Sequence, residues 1–233
     1  MYNFDKIYNN NSEISACILN DKIENYIVTG CVDKDSETIK IFNLRGNKTK
    51  EIMVNNYVYY ITSYFYKKLS QLFIIVGSYN CIKTFDFEND KEFNSYYSSE
   101  IKSNNRYYGV IVNNKDEITQ LIASSDEGNV VLWNFETRNI IKIIAISSWS
   151  FNAICLWNND ILCVGWGDKS IKFLDLKNFN ISKTLFSHRN NVITIKIIHH
   201  EIYGDFILSQ DKSEFLEKRN SQIKLWGNGK KWI

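Results

Sequence analysis

Apolar residues in this chain gather in short runs rich in Ile, Val, Tyr and Phe, and clusters of Asn, Asp, Gly, Ser and Lys separate one run from the next. Runs of that length bounded by turn-forming residues predict β-strands. The clearest stretch predicts strands at 107–112, 120–123, 130–135 and 140–144, joined by Asn113-Asn114-Lys115-Asp116, Ser125-Asp126-Glu127-Gly128 and Glu136-Thr137-Arg138-Asn139. Those connectors carry the residue types that tolerate tight turns. Similar quartets are predicted at 14–19, 26–29, 38–43 and 51–54, at 58–65, 72–76, 81–87 and 92–96, and at 151–157, 161–164, 170–176 and 182–186. A last group at 192–199, 205–209 and 222–226 lacks a fourth strand of its own.

The third strand of every group reads alike. The versions are Thr38-Ile39-Lys40-Ile41-Phe42, Asn80-Cys81-Ile82-Lys83-Thr84-Phe85, Asn129-Val130-Val131-Leu132-Trp133, Ser170-Ile171-Lys172-Phe173-Leu174 and Gln222-Ile223-Lys224-Leu225-Trp226. A period of roughly 40 to 50 residues with four strands per unit predicts an all-β propeller. About five blades fit in one domain spanning 1–233, with an open or incomplete propeller as the alternative. Residues 4–8 precede the first unit much as 182–186 precede the fifth, since Ile7 leads to Ile14 and Leu185 to Val192 by the same step. The N-terminal segment is therefore expected to close the last blade, antiparallel to 222–226, which would remove exposed sheet edges.

Side by side, the repeats resemble the WD-repeat family of β-propellers over nearly the whole chain. The resemblance is carried by Ser124-Ser125-Asp126-Glu127-Gly128-Asn129-Val130-Val131-Leu132-Trp133-Asn134, Gly165-Trp166-Gly167-Asp168-Lys169-Ser170-Ile171-Lys172, Ser187-His188 leading to Val192, and Gln222 through Trp226. It implies a hydrogen-bonded structural set within a blade: a His before the first strand, a hydroxyl on the second, an Asp in the next turn and a Trp on the third. His188, Ser209, Asp211 and Trp226 match it in the fifth unit, Ser124, Asp126 and Trp133 match it in part in the third, and Asp168 takes the Asp place in the fourth. The chain also departs from the family. Phe42, Phe85 and Leu174 stand where Trp is expected, one unit keeps the His, residues 214–220 are inserted, and there are five units where the family usually has seven.

Charge changes this picture little. The 28 basic and 26 acidic residues are interspersed, so no basic stripe points to nucleic acid or an anionic membrane. No apolar segment reads as a leader or a membrane span, and the expected location is cytoplasmic, with the nucleus as the alternative. The five cysteines, Cys17, Cys31, Cys81, Cys155 and Cys163, show no metal-binding or redox spacing and read as buried thiols.

Candidate chemistry is thin. His188 sits where the structural set needs it, and His199-His200 point to opposite faces of a strand, a poor arrangement for one metal ion. Asp126, Asp168 and Asp211 recur with the repeat, as a turn requirement predicts and a single catalytic site does not. The expectation is no enzyme, no cofactor and no metal. Trp149 and Trp166 lie in turn-like sequence, Arg106 and Arg189 stand just before first strands, and Tyr57 lies near one; these are the candidate partner-binding residues. The resemblance implies a scaffold that binds a protein or peptide on the turn face around the central channel. Rival readings are a five-bladed carbohydrate-binding or hydrolytic propeller and a partial propeller completed by another chain.

Overall fold

The computed structural model describes residues 14–21, 24–31, 37–98, 105–115, 117–146, 153–186, 188–212, 221–227 and 230–231. The first sheet contains β1 (Ile14–Asn20), β2 (Asn25–Cys31), β3 (Thr38–Asn43) and β4 (Lys48–Met53). The second has β5 (Tyr60–Tyr66), β6 (Gln71–Gly77), β7 (Cys81–Asp86) and β8 (Lys91–Tyr97), and the third has β9 (Tyr107–Lys115), β10 (Ile118–Ser125), β11 (Asn129–Asn134) and β12 (Ile140–Ala145). The fourth is β13 (Ala153–Asn158), β14 (Ile161–Gly165), β15 (Ser170–Asp175) and β16 (Ile181–Phe186). The fifth is β17 (Val192–His200), β18 (Gly204–Asp211), β19 (Ile223–Gly227) and β20 (Lys230–Lys231). In each sheet the strands pair in chain order, so the described residues are all-β, in five four-stranded antiparallel meanders. Contacts group the chain into two compact units, Met1–Val110 and Ile111–Ile233.

The recurring residue at the end of each third strand has a physical role. Phe42, Phe85, Trp133 and Leu174 each follow a register shift against the fourth strand. Just beyond it Asn43, Asp86, Asn134 and Asp175 turn the chain, each accepting backbone N–H bonds through its side-chain oxygen. The turn is then closed by a left-handed residue, Gly46, Asp90, Arg138 or Phe179. The sequence period is thus the period of a bulge and an Asx turn.

Several strand bounds differ from expectation, most clearly in two sheets. In the first sheet the fourth strand starts at Lys48 rather than residue 51, because the turn ends at Gly46 and an outer strand tolerates the exposed side chains of Lys48 and Thr49. In the fifth sheet a fourth strand does come from the C-terminal side: β20 pairs Lys230 with Gly227 and Lys231 with Trp226. The expected closing segment, 4–8, and the insertion, 214–220, lie outside the described residues.

Adjacent sheets meet closely inside each unit. In unit 1 the core joins Val28, Ile39 and Ile41 of the first sheet to Ile61, Ile74 and Phe85 of the second. In unit 2 one cluster joins Leu132 to Leu162 and Val164, and another joins Cys163 and Ile171 to Ile195 and Trp226. Glycine makes two of these approaches possible. A Cβ on Gly77 would lie 2.5 Å from the Tyr107 carbonyl, and one on Gly165 would lie 2.9 Å from Val192 Cγ1. Both glycines end a second strand where the next sheet begins.

Candidate functional site

Two groups of residues have the composition of a functional site, one sealed and one open. The sealed group is in the fifth sheet. Trp226 pairs with Ile207, and Ser209 lies two residues along β18, so Ser209 and Trp226 share a face. Trp226 Nε1–H donates to Ser209 Oγ at 2.8 Å, and Ser209 Oγ lies 2.7 Å from His188 Nε2. His188 Nδ1 faces Asp211 Oδ2 at 3.4 Å. Because the indole can only donate, the hydroxyl proton is assigned to His188 Nε2 and the ring proton to Nδ1, toward the carboxylate. Asp211 also accepts the backbone N–H groups of Arg189 at 3.1 Å, Asn190 at 3.3 Å and Gln222 at 2.5 Å. Burial pulls this carboxyl up, but the Gln222 and Arg189 amides, His188 and the Asn190 amide together hold it below the usual range.

A Ser–His–Asp chain of this order is also that of a hydrolase nucleophile. Here the His188 and Asp211 side chains are fully buried and Ser209 is 1% exposed. The indole N–H occupies the hydroxyl, and a carbonyl substrate has no path to it. The set anchors the loop before β17 to β18 and β19.

The third sheet carries similar letters with a different outcome. Trp133 pairs with Leu121, which places Ala123 and Ser125 on its face and Ser124 on the opposite one. The Ser124 hydroxyl is buried without a hydrogen-bond partner. The structure therefore does not bring Ser124 to Trp133. The motif match is out of phase by one residue, and on a strand one residue is a change of face. Asp126 is half-buried in the following turn. In the fourth sheet Asp168 sits on an exposed turn, accepts the Ser170 N–H and hydroxyl, and pairs with Lys172 Nζ at 2.7 Å. Burial raises its carboxyl, but Lys172 and Ser170 outweigh that and leave it below the usual range.

Trp166 requires correction as a partner-binding residue. Its ring is 1% exposed and packs with Ile122, Leu132 and Leu162. A tight turn, with Trp166 N–H bonded to the Ser170 carbonyl at 2.9 Å, directs the indole inward, and Lys172 Nζ covers the ring at 3.7 Å from its centre. Arg189 is exposed beside the buried His188. Trp149 lies outside the described residues.

The open group is in unit 1, where Tyr57 and Arg106 come together through two residues that sequence reasoning missed, Tyr59 and Tyr108. Tyr57 and Tyr59 have ring centres 6.3 Å apart, and Tyr59 meets Tyr108 edge-on at 5.2 Å. The Arg106 guanidinium lies 5.8 Å from the Tyr59 ring centre and donates to the Tyr108 hydroxyl at 3.4 Å. Arg106 is exposed and the three tyrosines are half-buried. The backbone beneath is fixed: Tyr59 N–H donates to Gly77 O at 2.9 Å, Asn56 Nδ2 to Tyr79 O at 2.9 Å, and Tyr79 bridges to Arg106. The missed signal was where β5 begins. The run from Val58 reads as strand, but pairing starts at Tyr60, which leaves 57–59 as a lead-in segment with half-exposed rings.

Among the described residues no three metal-ligating side chains converge, and no helix is long and apolar enough to cross a membrane. No protein-family model and no curated protein matches the chain. Solved structures do match. The WD40 β-propeller domain of Doa1 superposes with a TM-score of 0.70 at 16% identity, covering 94% of this chain and 67% of that one. At that identity the likeness is one of fold: this chain has the architecture of a WD40-type β-propeller, with five four-stranded sheets among the described residues.

Proposed function

We propose that the protein is a scaffold that binds a protein or peptide partner without catalysing a reaction, and that the Tyr57–Tyr59–Arg106–Tyr108 cluster is its principal contact. The observation that carries this reading is the pre-stacked arrangement of three half-exposed tyrosines under an exposed guanidinium. Tyrosine and arginine supply much of the energy at interface hot spots. Rings already held by neighbours lose little rotamer freedom when a partner arrives. Arg189 is kept as a second anchor because it is exposed on a loop whose backbone is tied to Asp211. Trp149 is kept on sequence alone, with the turn face of the propeller in a cytoplasmic setting as the working surface.

Selection of binders from a displayed random-peptide library on the immobilised full chain tests the reading. Recovered peptides should lose binding to a Tyr59→Ala/Arg106→Ala variant that melts like wild type. Peptides that bind both forms equally would move the contact away from this cluster.

A further inference from the structure

The cysteines look unrelated in the sequence, but β13 and β14 place two of them face to face. Asn158 pairs with Ile161 and Leu156 with Leu162, so Trp157 is an extra residue on β13. That bulge shifts the remainder of the strand by one position and sets Cys155 directly opposite Cys163; without it Cys155 would face Val164. Residues directly opposed across an antiparallel pair have Cβ atoms about 4.5–5.5 Å apart, while a disulfide spans about 3.5–4.5 Å. Closing the gap needs a local approach of about 1 Å, within what a hairpin beside a bulge can supply. The two side chains are direct cross-strand partners, and Cys155 is the neighbour that most raises the Cys163 thiol. Their access differs: Cys163 is fully buried, whereas Cys155 is partly exposed.

We propose that Cys155 and Cys163 are an oxidative modification site, a dithiol that a hydroperoxide converts reversibly to a cross-strand disulfide. The oxidant reaches the exposed member. Cys155 sulfur attacks the terminal peroxide oxygen, the O–O bond breaks, and the alcohol leaves with a proton, giving the Cys155 sulfenic acid. Cys163 sulfur then attacks Cys155 sulfur, the S–O bond breaks, and the hydroxide departs as water with the Cys163 thiol proton. Two thiols lose two electrons, and the hydroperoxide is reduced to an alcohol and water. The adjoining Cys155 and burial both hold the Cys163 thiol well above its ordinary range, so Cys163 keeps its proton until the sulfenic acid forms beside it. Proximity then offsets its low ionisation. A bond that pulls two paired strands together is strained, and a small dithiol should reverse it.

The test is tert-butyl hydroperoxide treatment of the reduced full chain, followed by alkylation under denaturing conditions and peptide mapping. The expected result is one linked peptide pair, Cys155 with Cys163, lighter by two hydrogens and returned to free thiols by dithiothreitol. A Cys163→Ser variant should instead give a Cys155 sulfenic acid that dimedone traps. Wild-type mapping decides the matter even if that variant misfolds. Oxidation of Cys155 alone to sulfinic acid with Cys163 still alkylatable, linkage through Cys17, Cys31 or Cys81, or no change at either thiol would each overturn the proposal.

Discussion

The fifth-sheet polar set and the unit 1 tyrosine cluster contain the residue types from which binding and catalytic sites are built, yet solvent reaches only one of them. Trp226, Ser209 and His188 bond to one another inside the protein, and Asp211 behind them accepts three backbone N–H groups. Tyr57, Tyr59 and Tyr108 are held by ring contacts but keep part of each ring in water, with Arg106 exposed beside them. Chemistry in the side chain does not make a site; exposure with the geometry already fixed does.

Several measurements would sharpen or break that contrast. The largest effect is expected from Trp226→Ala, which should lower stability by about 3 to 5 kcal/mol in denaturant unfolding, as for other buried large aromatics. A loss under about 1 kcal/mol would remove Trp226 from the core. Gly165→Ala should cost about 1 to 3 kcal/mol, because its methyl would meet Val192 where the fourth and fifth sheets touch.

Ser209→Ala strips a buried hydroxyl from both Trp226 and His188 and should cost about 1 to 3 kcal/mol. Its counterpart Ser124→Ala removes a buried hydroxyl that bonds to nothing and should change stability by no more than about 0.5 kcal/mol, or raise it. Equal losses for the two serines would show that Ser124 has the same role after all.

Acid should act on the sealed set as well. Asp211 is held below the ordinary 3.8, so its stabilisation is complete above that value and is lost as pH falls through the folded-state value. Urea midpoints measured from about pH 5 down to about pH 3 should fall less steeply for Asp211→Asn than for wild type. Parallel slopes would mean that Asp211 contributes nothing to acid sensitivity.

Much of the blade pattern was legible because bulge, Asx turn and closing aromatic recur together at Phe42, Phe85 and Trp133, each leaving a mark in the sequence. The set at His188 was legible through the resemblance to the WD-repeat pattern, since it occurs in one unit alone. What escaped was register. Ser124 matches the motif by letter but falls on the wrong face, and Cys155 meets Cys163 only because Trp157 bulges. Trp166 looked exposed because turn residues usually are, while its turn folds the indole inward. The tyrosine cluster was half legible: Tyr57 and Arg106 stood out singly, but the contact through Tyr59 joins segments far apart in the chain.

The most direct test of a pre-set, exposed tyrosine contact is calorimetric titration of a library-selected peptide into wild type, Tyr59→Ala/Arg106→Ala and Ser209→Ala, with thermal unfolding of each. The double variant should lose at least about tenfold in affinity, or 1.4 kcal/mol, with its melting temperature nearly unchanged, while Ser209→Ala melts earlier and binds as wild type below its transition. Wild-type affinity in the double variant, together with weakened binding in folded Ser209→Ala, would contradict it.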